Sequence, residues 1–318
     1  MMEKARESLE TRQVVIYFVA VCMAAIAAIA LSGTERFEPA INPALALMLF
    51  VTLLQVPLAS LRDAFRQGRF FGALLVVNFL AVPVLVAILL QFAPLDPLVR
   101  LGFLIVLLCP CIDYVVTFSH LGRADARLLL AATPALLIVQ MLLLPLWLSL
   151  FLGDEAAELV QMGPFLHAFL SLIAIPLGLA ALCQLWASRS AAGARVNVAL
   201  GLLPVPATAL VLFIVIAAVV PQLGPALTSV LAVAPLYIAF ALITPLMAWG
   251  IARIARLDAP AGRAIAFSGA TRNSIVVLPL ALAVPGAIPL VPAVIVAQTL
   301  VELAASLLYI KMMPRLGA

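Results

Sequence analysis

The chain is poor in charge. Only 10% of its 318 residues are Asp, Glu, Lys or Arg, while 66% are hydrophobic. Soluble domains carry about 25% charged residues, so a soluble globular fold, which would have to hide this much apolar surface from water, is excluded. Histidine is also scarce. His120 and His167 both lie near span ends without metal-ligand neighbours, so no metal centre is expected. The four cysteines, Cys22, Cys109, Cys111 and Cys183, sit in apolar stretches and show neither disulfide-framework nor zinc-ligand spacing. The chain has no His-Glu-x-x-His motif, no Gly-x-Ser-x-Gly elbow and no Gly-rich phosphate loop. Neither enzymatic activity nor a cofactor is expected. The net charge of +4 is scattered through polar joints and forms no patch, which argues against a nucleic-acid partner.

Long apolar runs are plentiful. About ten membrane-length spans are expected, over roughly 13–32, 41–61, 70–92, 98–120, 125–152, 164–187, 199–220, 226–254, 263–284 and 288–311. The chain reads as an all-α integral membrane protein. The first run follows a charged N-terminal segment and is longer than a signal h-region, so it reads as a retained helix. Fifteen of the eighteen Lys and Arg residues fall on one side of this topology, and the acidic loop with Asp154, Glu155 and Glu158 falls on the other. By the positive-inside rule both termini are cytoplasmic, and the protein is expected in the cytoplasmic (inner) membrane with the bilayer as its solvent.

Five spans per half means that the halves insert in opposite senses, as inverted repeats over about 13–152 and 164–311 of one transport unit covering 1–318. An offset of 162 residues supports this: it relates Gln140 to Glu302, and Cys109-Pro110-Cys111 to Thr271-Arg272-Asn273. The second of these pairs marks the two places where a helical pattern is interrupted. In the fourth span Pro110 removes a backbone donor and predicts a break. In the ninth, Gly269-Ala270-Thr271-Arg272-Asn273-Ser274 is a small polar cluster at membrane depth. Ile275 to Pro285 alone is too short to span, so the helix must include the cluster and be discontinuous.

Three ionisable side chains lie inside apolar spans: Asp113, Arg272 and Glu302. Charges at that depth are expensive; they pair with one another and line polar pathways. Glu302 lies ~13 Å in from the cytoplasmic end at Lys311, near mid-bilayer, with Gln298 and Ser306 one turn to either side. Arg272 requires a buried anion, and Asp113 and Glu302 are the carboxylates that could supply it. Broken helices in corresponding places of two halves point to the substrate site of a secondary transporter.

The interrupted fourth and ninth spans of a ten-span pattern resemble the bile acid/sodium symporter superfamily, and within it the arsenite permease branch. Cys111-Ile112-Asp113-Tyr114-Val115-Val116 is similar to that branch's Cys-Ile-Ala-Met-Val segment. Gly269-Ala270-Thr271-Arg272-Asn273 resembles its Gly-Ala-Ser-Asn-Asn, and Leu300-Val301-Glu302 its C-terminal Leu-Val-Glu. The resemblance implies a panel of spans 1, 2, 6 and 7 and a core of spans 3, 4, 5, 8, 9 and 10. It also implies Cys111 as the essential thiol and Glu302 as the essential carboxylate. Where sodium-coupled relatives place sodium ligands in the ninth span, this chain has Ser268 and Arg272, and a fixed guanidinium repels a cation while supplying its charge.

The expected function is export of arsenite or a related trivalent metalloid in exchange for protons. Cys111, Cys109, Glu302, Asn273 and Ser274 would bind substrate, and Asp113, Arg272, Glu302 and Gln140 would serve as ion-pair or coupling groups. A thiolate suits a soft metalloid. The alternatives are a sodium-independent carrier of a small organic anion, with Arg272 facing its carboxylate, and a membrane sensor that does not translocate.

Overall fold

A computed structural model describes residues 2–55, 67–112, 114–153, 170, 174–282, 284, 286–287 and 290–317. Their regular structure is helical. In chain order the helices are α1 (Met2–Ala30), α2 (Glu38–Leu53), α3 (Gly68–Val76), α4 (Val82–Leu90), α5 (Pro97–Leu108), α6 (Val115–Leu121), α7 (Ala126–Leu152), α8 (Ile175–Arg189), α9 (Ala191–Leu200), α10 (Pro204–Val219), α11 (Leu223–Ile254), α12 (Ala259–Ala270), α13 (Ser274–Leu282) and α14 (Leu290–Met312). A π-helical turn, Val77–Ala81, joins α3 to α4 without interruption.

Two segments outside the expected spans are also helical. The charged N-terminus is the first part of α1, steadied by an Arg6–Glu10 ion pair of 2.7 Å one turn apart. The joint after the sixth span forms α9, because Ser190 turns extended, ends α8 and caps the new helix by accepting from the Gly193 N–H at 2.9 Å.

Among the described residues, five helical stretches are each long and apolar enough to cross a membrane: residues 8–30, 68–90, 126–152, 226–254 and 290–315. The α9–α10 pair reaches that length through a 42° bend. At 12 and 7 residues, α5 and α6 fall short of a span singly, as do α12 and α13 at 12 and 9. The outer surface matches a lipid solvent. On α7, Ile138, Leu142, Leu146 and Leu150 form an exposed stripe at four-residue spacing, while Leu137, Met141, Leu144 and Leu148 are buried. In water the exposed stripe would be polar. The protein is an all-α integral membrane protein.

The helices gather into two compact units. The first comprises Met1–Val56, Gln161–Ala226 and Leu278–Pro289. In it α1 and α2 both pack along α10 and α8 packs on α2, with Gln184 donating to the Leu54 carbonyl at 3.1 Å. Small and apolar side chains, Ala24, Met48, Ala217 and Ala218 among them, are fully buried there.

The second unit comprises Pro57–Val160, Leu227–Val277 and Leu290–Ala318. Within it α5 packs on α14 and α7, and α12 packs on α3, α6 and α7. Phe103 stacks on Tyr237 at 5.4 Å, and the buried Tyr309 hydroxyl donates to the Ala241 carbonyl. Gly269 lets α12 approach closely, since a Cβ there would meet Val77 at 2.8 Å and Ala248 at 2.9 Å.

Candidate functional site

The site lies wholly within the second unit, where two helices break against each other. Asp96 caps α5 by accepting from the Leu98 and Val99 amides, and Asp258 caps α12 by accepting from Ala261. Both helices then run twelve residues and end on an extended residue: Cys109 (φ −103, ψ 111) after α5 and Thr271 (φ −108, ψ 136) after α12. Caps, starts and ends all differ by 162 positions.

The two breaks have different causes. Cys109 is pushed out of the helical region by the proline that follows it, and Pro110 has no N–H to return to a helical carbonyl. Arg272 has an N–H but does not use it in the helix; it donates to the Glu302 carboxylate at 2.7 Å. Between them the chains form a single antiparallel bridge, Pro110 opposite Arg272, closed by Cys111 N–H to Thr271 O at 3.2 Å and Asn273 N–H to Cys109 O at 2.8 Å. Backbone groups freed at membrane depth are thus satisfied by protein.

Arg272 is completely buried. Its Nη2 donates to Asn78 Oδ1 at 2.8 Å and to the Ser268 and Gly269 carbonyls at 2.5 and 2.8 Å, and its Nη1 donates to the Leu107 carbonyl at 3.3 Å. Phe240 lies 5.6 Å from the guanidinium carbon. Among the described residues every guanidinium acceptor is a neutral oxygen. The expected partner Asp113 lies outside the described residues. Glu302 binds the backbone of Arg272, not its head group.

Glu302 is also buried, and it accepts from three donors: the Arg272 N–H, the Tyr114 hydroxyl and Gln298 Nε2. It therefore ties the ninth-span break to α14 and, through Tyr114, to the end of the fourth-span break. Cys109 and Cys111 are buried at the bridge, on either side of Pro110. Asn273, Ser274 and Gln140 are buried as well, and among the described residues Asn273 Oδ1 and Nδ2, Ser274 Oγ and both polar atoms of the Gln140 side chain have no hydrogen-bond partner. Among the described residues no cluster of His, Cys, Asp or Glu could hold a metal ion.

Asn78, Tyr114 and Phe240 were not among the residues singled out from sequence. Asn78 had a signal: it is a lone amide in an apolar run five residues before Pro83. It sits in the π-turn, where its Nδ2 donates to Leu74 O and Ser268 Oγ, both at 3.0 Å, and π-turns recur at functional sites. Tyr114 and Phe240 had none, since an aromatic residue in an apolar span is ordinary.

The family model described as the sodium bile acid symporter family matches residues 42–229, more than half of the chain. The chain belongs to this family. As a member of the sodium bile acid symporter family it is a membrane transporter with a small-molecule substrate. The match includes the α5–α6 break, while Arg272 and Glu302 lie beyond it. No curated protein matches the chain.

Proposed function

We propose that this transporter is a secondary carrier of the cytoplasmic membrane that exports arsenite or a related trivalent metalloid in exchange for protons. The observation that carries the reading is the bridge itself. It brings two buried thiols, Cys109 and Cys111, to the residue whose backbone binds the buried carboxylate Glu302. Soft thiolates select a soft metalloid, and a carboxylate at the same crossing is the group to carry the exchanged proton. Cys111, Cys109, Asn273 and Ser274 are the proposed substrate groups. Arg272, Glu302, Gln140 and Asp113 are the proposed coupling groups.

The organic-anion reading is the weaker one, because the terminal nitrogens of the Arg272 guanidinium already serve four neutral oxygens and leave Nε alone without a partner among the described residues. The same arrangement supports sodium independence, since a permanent cation occupies the oxygen-rich position. We place the spans in a ten-span topology with five per inverted half and both termini cytoplasmic, supported by the shared 162-residue offset of caps, helix ends and bridge.

Arsenite flux into everted vesicles tests the reading. Cys111→Ala should abolish it, while Cys22→Ala and Cys183→Ala, both in the other unit, should leave it near wild-type. Equal loss in all three variants, or no arsenite flux in the wild type, would overturn the proposal.

A further inference from the structure

The two breaks are related by position, but their surroundings differ. Glu302 on α14 and Gln140 on α7 are 162 residues apart, the same separation as between Arg272 and Pro110, which face each other in the bridge. The three donors that bind Glu302 are Arg272 N–H, Tyr114 and Gln298. Their counterparts on the Gln140 side are Pro110, Val276 and Leu136. Proline has no N–H, and the other two have apolar side chains, so the counterparts of all three donors are missing on the Gln140 side. Accordingly, among the described residues both polar atoms of the Gln140 side chain lack a partner although the residue is only 1% exposed. A buried amide left in that state is costly and calls for an occupant. Gln140 sits mid-way along α7, which packs on α5, α6 and α12, the helices that end at the breaks. Asn273 and Ser274, at the start of α13, are likewise buried with unspent amide and hydroxyl groups.

We propose that Gln140, grouped above with the coupling residues, is in addition a substrate-binding and specificity residue: its amide hydrogen-bonds a neutral, hydroxyl-bearing solute, while on the other side Glu302, bound by three donors, ties the break to α14. An amide offers both donors and acceptors, which complements a hydroxyl group and not a bare ion. Beside the ninth-span break the unspent groups of Asn273 and Ser274 are neutral too, and among the described residues the guanidinium there keeps a single unspent atom, Nε, its terminal nitrogens being bonded to four neutral oxygens. The inference rests on the carrier reading above and adds to it the chemical form bound, an undissociated hydroxylated species.

The test uses the full chain, purified and reconstituted, with Gln140→Leu and Gln140→Glu. An amide with no protein partner costs nothing to remove, so Gln140→Leu should melt no lower than the wild type in the absence of solute, yet lose arsenite flux. Gln140→Glu, which keeps the shape but replaces the donor with a charge, should lose that flux as well. Boric acid and glycerol, both neutral and hydroxylated, serve as further probes. A wild type that moves glycerol but neither arsenite nor boric acid would defeat the metalloid reading and leave the inference standing, provided that Gln140→Leu loses the glycerol flux. A clearly lowered melting temperature in Gln140→Leu would overturn it by showing a protein partner. So would unchanged flux in Gln140→Leu, or a wild type that moves none of the three solutes.

Discussion

At the scale of single residues, Arg272 and Glu302 do different work although they touch. Arg272 spends its side chain on four neutral oxygens and its backbone N–H on Glu302. Arg272→Met should therefore leave four buried acceptors without their donor and the buried Glu302 carboxylate without a nearby positive charge, at a cost of about 3–5 kcal/mol. Thermal unfolding in detergent measures this, and Arg272→Lys should lose less, because three ammonium donors can serve part of the set. Glu302→Gln should behave otherwise. Its carbonyl oxygen can still accept from Arg272 N–H and Gln298, while its new NH2 turns to the Tyr114 oxygen. Tyr114 then donates to the Arg272 carbonyl, already 3.3 Å away. The variant should stay folded and lose the dependence of arsenite flux on an imposed pH gradient. A fold lost in Glu302→Gln, with pH coupling intact in refolded protein, would remove Glu302 from the proton path.

At the scale of elements, the site depends on helices that stop at fixed places and lie close to one another. Gly122 ends α6 against α12, where a Cβ would come within 2.3 Å of the Phe267 ring. Gly122→Ala should force the two apart and cost about 1–3 kcal/mol. Adding Phe267→Leu should recover part of the loss, because the smaller side chain vacates the space. A Gly122→Ala variant with unchanged melting temperature would show that α6 can shift freely. The caps offer a second check. Asp96→Ala and Asp258→Ala should each cost about 1 kcal/mol, and similar losses are expected because the two helices are capped at matching positions.

At the scale of the whole molecule, the chain belongs to a family named for sodium coupling but carries its own cation at the helix break. An imposed sodium gradient, at constant pH and membrane potential, should leave arsenite flux unchanged. A flux that climbs with the gradient would mean that the guanidinium leaves room for sodium. The lipid-facing stripes and the buried polar bridge are two halves of one arrangement: apolar residues meet the bilayer so that polar ones can be assembled inside.

What the sequence determined by itself is what local chemistry decides. Composition required a membrane, Pro110 broke one span, and the length of the run beyond Ile275 required the break in the other. The 162-residue offset matched the two interrupted triplets, whose central residues, Pro110 and Arg272, the structure sets opposite each other in the bridge. Other features depended on the approach of distant segments, and these were legible only in three dimensions. Asn78 reaches Arg272 from 194 positions away and Tyr114 reaches Glu302 from 188. A buried group's partners are set by which helices pack together. For the same reason sequence could name Arg272 and Glu302 as costly charges but could not say how each is satisfied. Tertiary structure supplied the answer, turning the guanidinium toward neutral carbonyls and giving Glu302 a backbone N–H that the broken helix had set free.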